Sequence, residues 1–232
     1  MLNSWAHLAL VLKGTKQEEK GLGFSLFLCL YLRILMPMLT SEMQTMKTEL
    51  QKMLSGEIFD GADHEIDHMR THASKALSDF NQCSDDTQQP SLQANLFGKV
   101  GSSVVRPPFH CEFGKTIEIG DNTFINMNVV MLDGANIRIG NNVLVGPSAQ
   151  FYTASHSLDH LSRREWETFC LPITVEDDVW IGGKSVINQG VTIGARSVIA
   201  ANSVVNSDVP PDCLYGGTPA KLIRHLNTEQ RR

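Results

Sequence analysis

"VEDDVWIGGKSVINQGVTIGARSVIAANSVV", residues 175–205, sets Val175, Ile181, Ile187, Ile193, Ile199 and Val205 at an unbroken interval of six. Neither the 3.6-residue period of a helix nor the two-residue period of a strand sustains that spacing. A hexapeptide reads as one short flat strand plus a turn. Three of them close a triangular coil, and their aliphatic side chains stack from coil to coil into a column. Gly182, Gly194, Asn141 and Asn202 suit the corners, where φ is positive or backbones approach closely.

The same rhythm runs upstream. Ile119, Ile125, Met131 and Ile137 are six apart; after a shift of two, so are Ile139, Val145 and Phe151. From Phe151 to Val175 the interval is 24, a multiple of six, yet positions 153–172 lack the aliphatic ladder. They read as a loop extruded from one corner. In a solenoid the regular coils give stability and the excursions carry function. "YTASHSLDHLSRRE", residues 152–165, places His156 and His160 in this excursion. Residues 101–210 are thus expected to form a β-helix.

Residues 41–100 have a helical texture. Met43, Met46, Leu50, Met53 and Leu54 share a face, with Gly56 as a stop. A second helix opens near Asp63 with the stripe Ile66, Met69, Ala73, Ala76, Leu77 and Phe80. Residues 81–91 read as a loop, and a turn of helix follows around Leu92 to Phe97. Residues 211–232 form a C-terminal segment.

Residues 1–40 stand apart. The run 24–39, FSLFLCLYLRILMPML, is shorter than the roughly 20 residues a membrane span needs and contains Arg33 and Pro37. Lys13, Lys16 and Lys20 precede it, but no small-residue cleavage site follows. The segment is read as a disordered extension or a misassigned start, since Met38, Met43 and Met46 could each begin the chain. A signal anchor is the other reading. A net charge of -5 argues against a nucleic-acid partner, which needs a concentrated basic surface. Cys29, Cys83, Cys111, Cys170 and Cys213 are odd in number, far apart and without a CxxC pair. They fit small apolar side chains in a reducing, cytoplasmic protein.

The ladder, "RPPFHCEFGKTIEIGDNTFINMNVVMLDG" (106–134), "YTASHSLDHLSRR" (152–164), "PITVEDDVWIGG" (172–183) and "YGGTPAKLIR" (215–224) together resemble the maltose, galactoside and nodulation O-acetyltransferases. "MLSGEIFDGADHEI" (53–66) resembles their N-terminal cap. The resemblance spans about residues 43–226. It implies a mainly β fold, a left-handed parallel β-helix of hexapeptide repeats with a small α-helical cap and a short C-terminal helix. It implies a homotrimer with sites at subunit interfaces, acetyl-coenzyme A as co-substrate, a sugar or similar small acceptor, no metal and no membrane.

Moving an acetyl group from a thioester to a hydroxyl requires a base, because a neutral alcohol is a poor nucleophile until its proton is taken. By the resemblance His156 is that base. Direct transfer in a ternary complex needs no covalent intermediate, and no Gly-x-Ser-x-Gly or Cys/His arrangement offers one. The same likeness gives Asn126, Glu112, Phe124 and Asp133 to the acceptor, with Glu112 where aspartate is usual. Gly183, Ala201, Trp180, Lys221 and Arg224 go to coenzyme A: backbone donors and an apolar wall for its arm, cations for its phosphates. Glu167 is expected to orient His156. Two departures bear on the donor: Asn206 and Ser207 stand where a hydroxyl and a basic residue are frequent, and Thr218 replaces a frequent asparagine.

Two other readings share the coil. One is a scaffold that has lost catalysis. The other is a γ-type carbonic anhydrase with zinc on His110, His156 and His160, disfavoured because two of these lie on the excursion rather than on successive coils.

Overall fold

A computed structural model describes residues 46–226. The run 24–39, Cys29 and Met43 lie outside the described residues, among which no helix is long and apolar enough to cross a membrane.

The hexads form a parallel β-helix with three faces. The first face holds β1 (Lys99–Val100), β4 (Ile117–Ile119), β7 (Ile137–Ile139), β12 (Ile173–Val175) and β15 (Thr192–Ile193). On the second lie β2 (Val104–Val105), β5 (Phe124–Ile125), β8 (Leu144–Val145), β13 (Trp180–Ile181) and β16 (Val198–Ile199), followed by β18 (Cys213–Gly217) and β19 (Ala220–His225). The third has β3 (Phe109–Cys111), β6 (Val129–Leu132), β9 (Gln150–Tyr152), β14 (Val186–Asn188) and β17 (Val204–Val205). Register stacks like on like: Ile119, Ile139, Val175 and Ile193 on one face, Met131, Phe151, Ile187 and Val205 on another. Every ladder residue is buried.

The shift of two has a simple cause. Ile137 and Ile139 are both inward residues of β7, pairing with Ile117 and Ile119. The early coils carry longer corners at 112–116 and 133–136, both at the edge where the third face meets the first. The excursion leaves at the same edge, between β9 and β12. Most of it is a hairpin rather than an irregular loop: β10 (Ala154–His156) pairs antiparallel with β11 (Thr168–Cys170). At its tip α4 (His160–Arg164) is N-capped by Asp159, whose carboxylate accepts from the amides of Leu161 and Ser162.

At the corners Asn202 is left-handed, with φ of 61°. Gly182 and Gly194 instead serve close approach, since a Cβ on either would lie 2.5 Å from a backbone nitrogen of the next coil. Asn141 accepts a bond from the Asp121 amide, and its neighbour Asn142 takes the positive φ.

The first helix is shorter than its sequence stripe. α1 (Glu49–Ser55) starts after a reciprocal capping box of Thr48 and Gln51. Met46 therefore precedes it and is exposed; Met53 is buried and Leu54 exposed. Asp63 caps α2 (His64–Gln82), and Pro90 opens α3 (Gln89–Leu96), which takes in the end of the expected loop. Phe80 and Phe97 close the end of the aliphatic column edge-on to one another, with Phe97 likewise against Phe109.

The C-terminal segment corrects the sequence reading. Over 213–225 it is a β-hairpin and not a short helix. Leu214 and Tyr215 continue the register of Val198 and Ile199, satisfying backbone groups that β16 would otherwise leave open, and Gly217 turns the chain at φ of 100°.

Candidate active site

Two concavities lie on two different edges of the prism. One, a cleft of about 980 Å³, is built at the edge of the long corners by the α1–α2 connection, Arg70, Glu112, Phe113, Gly134 and the hairpin with His156. A second apolar cluster, Met53, Phe59, Ile66, Phe113, Ala135 and Cys170, underlies it. The other, a groove of about 610 Å³, follows the second face to its edge with the third.

In the cleft, His156 ends β10 opposite Thr168. Its Nδ1 lies 3.3 Å from the Glu167 main-chain oxygen and 3.1 Å from the Thr168 hydroxyl, which donates to the Trp166 carbonyl. With that proton spent, the Thr168 oxygen can only accept. Both neighbours therefore favour a proton on Nδ1, which leaves Nε2 as the lone-pair nitrogen. Glu167 thus meets His156 through its main chain.

Glu112 also lines the cleft, where it accepts from Arg70 Nε at 2.8 Å; Arg70 Nη1 donates to the Gly61 carbonyl, and the guanidinium lies 5.4 Å from the Phe113 ring centre. Asp133 does not reach the cleft. It is wholly buried, and its carboxylate accepts from the amides of Glu112, Phe113 and Gly114 at 2.7–3.0 Å and from the Thr116 hydroxyl. Burial pushes its carboxyl above the usual range against the pull of these donors. No acceptor can touch it, because the chain's own donors occupy its oxygens; it fixes the corner that presents Glu112. Cys170 lines the cleft too, but burial, with Glu112 close by, pushes its thiol up to about 12, so it is no nucleophile at neutral pH.

The groove collects Phe124, Asn126, Trp180, Gly183 and Ala201. Trp180 is 53% exposed, which sets aside a core role. Asn126 Oδ1 accepts from the Met127 amide, leaving its carboxamide nitrogen to donate. The Gly183 carbonyl accepts from Asn202, whereas the amides of Gly183 and Ala201 have no backbone acceptor among the described residues. Lys221 and Arg224 are exposed on β19, at the margin of the same sheet. Asn206 bonds Asn188, and Thr218 reaches the Asn202 carbonyl. His160 is exposed at the hairpin tip beside Asp159. Neither His110, His156 and His160 nor any other three or more His, Cys, Asp or Glu side chains among the described residues are grouped to hold a metal.

Arg70, Trp166 and Thr168 are the residues sequence reasoning missed. Arg70 sits at the margin of the α2 stripe between Ile66 and Ala73, and a tryptophan within the polar "RREWET" was the signal for the second.

A hexapeptide prism with a histidine hairpin on one edge and an apolar groove on another defines a solenoid acyltransferase. Comparison with known proteins gives the particular family. The maltose acetyltransferase hexapeptide capping motif matches residues 52–101, and the six-repeat bacterial transferase hexapeptide matches 172–207. Nodulation protein L of Rhizobium meliloti is 40% identical over 76% of this chain and 98% of its own, and galactoside O-acetyltransferase of Escherichia coli 33% over 78% and 91%. A hexapeptide-repeat acetyltransferase of Vibrio cholerae, solved in complex with acetyl-coenzyme A, is 65% identical over 78% of this chain and all of its own, with a TM-score of 0.75. The chain belongs to the maltose, galactoside and nodulation acetyltransferase family of hexapeptide-repeat enzymes.

Proposed function

We propose that this acetyltransferase moves acetyl from acetyl-coenzyme A to a hydroxyl of a sugar or related small acceptor, with His156 as general base. The observation that carries the reading is the pairing of His156 Nδ1 with Glu167 and Thr168, which leaves Nε2 to take the acceptor proton. The groove suits a pantetheine arm. It offers apolar Leu144, Trp180, Val198 and Leu214, backbone donors at Gly183 and Ala201, and at Gly183 a position where a Cβ would lie 3.0 Å from the Pro147 oxygen. Lys221 and Arg224 on β19 supply cations for its phosphates. When bound, acetyl-coenzyme A supplies an acetyl group activated as a thioester. Arg70 and Glu112 hold acceptor hydroxyls, and Asn126 donates from the groove.

Cleft and groove lie on separate edges of one prism, so a complete site needs the cleft of one subunit against the groove of another. A homotrimer packed along its flat faces provides this. The cytoplasm, where the co-substrate is made and thiols stay reduced, is the compartment that fits.

Thiol release from acetyl-coenzyme A, followed across methyl glucoside, methyl galactoside and maltose, tests the reading. At least one acceptor should raise release well above the acceptor-free rate, with an acetyl ester formed for each thiol. Release that no acceptor accelerates would refute it.

A further inference from the structure

Trp166 is the most conspicuous residue of the cleft that the reaction leaves unexplained. It is 79% exposed beside the base, its indole edge-on to the His156 ring with 6.5 Å between centres. Its backbone has φ of 58°, a left-handed conformation that bulky residues seldom adopt and glycine adopts freely. A loop needing only a turn here would be served better by glycine or asparagine. The main chain is fixed on both sides: the Trp166 amide donates to the Arg163 carbonyl, and its own carbonyl accepts from the Thr168 hydroxyl. That hydroxyl also meets His156 Nδ1, so the indole and the base share one anchor.

A broad aromatic face held rigidly next to a hydroxyl-activating base suits one class of ligand, a ring with an apolar face and hydroxyls on its rim. The charge around the cleft narrows it further. Apart from the pairs Lys52–Glu49 and Arg70–Glu112, the charged side chains lining it are Asp60, Glu165 and Glu167, a balance that disfavours an anionic acceptor.

We propose that Trp166 is the acceptor platform, its indole face stacking on the apolar face of a neutral pyranose whose hydroxyl meets His156. The proposal rests on the sugar-acetylating reading above and adds the residue that selects a ring over an open-chain alcohol. The test compares wild type with Trp166→Ala, Trp166→Phe and Trp166→Gly, measuring KM and kcat by thiol release and acceptor binding separately by calorimetry. The probes are methyl glucoside, methyl galactoside, maltose and the acyclic polyol glycerol.

For the pyranosides, Trp166→Ala should raise KM and the dissociation constant about three- to tenfold, the range of one aromatic contact, with kcat little changed. Trp166→Phe should recover most of that loss, and glycerol should not respond. Trp166→Gly should melt no lower than wild type yet share the alanine defect, which separates recognition from folding. Equal pyranoside affinity in Trp166→Ala and wild type would overturn the platform while leaving acetyl transfer intact. So would dissociation of Trp166→Ala into monomers on sedimentation, which would make the indole an intersubunit contact. Trp166-dependent pyranoside binding without acceptor-dependent thiol release would uphold the platform and defeat the transfer reading.

Discussion

Replacing His156 with alanine is expected to lower kcat about 100- to 10,000-fold, the range general-base catalysis contributes. KM for acetyl-coenzyme A should stay close to wild type, because the groove residues that hold its arm do not include His156. A His156→Ala enzyme with wild-type kcat would remove His156 from the reaction. Thr168→Val offers a milder companion: Nδ1 keeps the Glu167 carbonyl but loses the hydroxyl.

The second large effect is on stability. Asp133→Ala is expected to cost at least about 3 kcal/mol, because the amides of Glu112, Phe113 and Gly114 would all lose a buried acceptor, each such loss costing about 1–3 kcal/mol. Asp133→Asn keeps one acceptor oxygen and should fall between. Urea denaturation of the three proteins gives the comparison, and a loss below about 1 kcal/mol would mean that the corner holds itself. Glu112 depends on this corner, so the alanine variant should also bind acceptor more weakly than its fraction folded accounts for.

Both predictions return to the way the sequence encodes the prism. A column of Ile and Val at every sixth residue is legible because one inward position per strand admits little but an aliphatic side chain, and the chain repeats that demand coil after coil. The shift of two between Ile137 and Ile139 was visible as well. Its meaning was not: it marks the long corners from which the cleft is made. Helix α2 could be read from its stripe and from Asp63 as cap, whereas α1 begins later than its apolar spacing suggests because Thr48 and Gln51 set the start. The terminal hairpin escaped notice because it depends on an open edge at β16, a tertiary property with no local signal.

The site was legible in part for similar reasons. His156 stood out by lying in the one gap of a regular ladder. What holds it is a main-chain carbonyl and the hydroxyl of Thr168, and a carbonyl carries no residue identity for a sequence to display. Asp133 illustrates the reverse error. A carboxylate beside a ligand-binding corner and one buried under it look alike in a linear string; only its three amide partners tell them apart. Trp166 was passed over because an exposed aromatic in a polar excursion follows no period.

The most direct test of the account is subunit complementation. His156→Ala lacks the base, and Ala201→Trp fills the groove; each is expected to be inactive alone while still assembling. Co-expressed in equal amounts, they should recover about one quarter of wild-type activity, because in random trimers that fraction of boundaries joins an intact cleft to an intact groove. No recovery, from mixed trimers shown to have formed, would place cleft and groove in the same subunit and contradict a site shared across the interface.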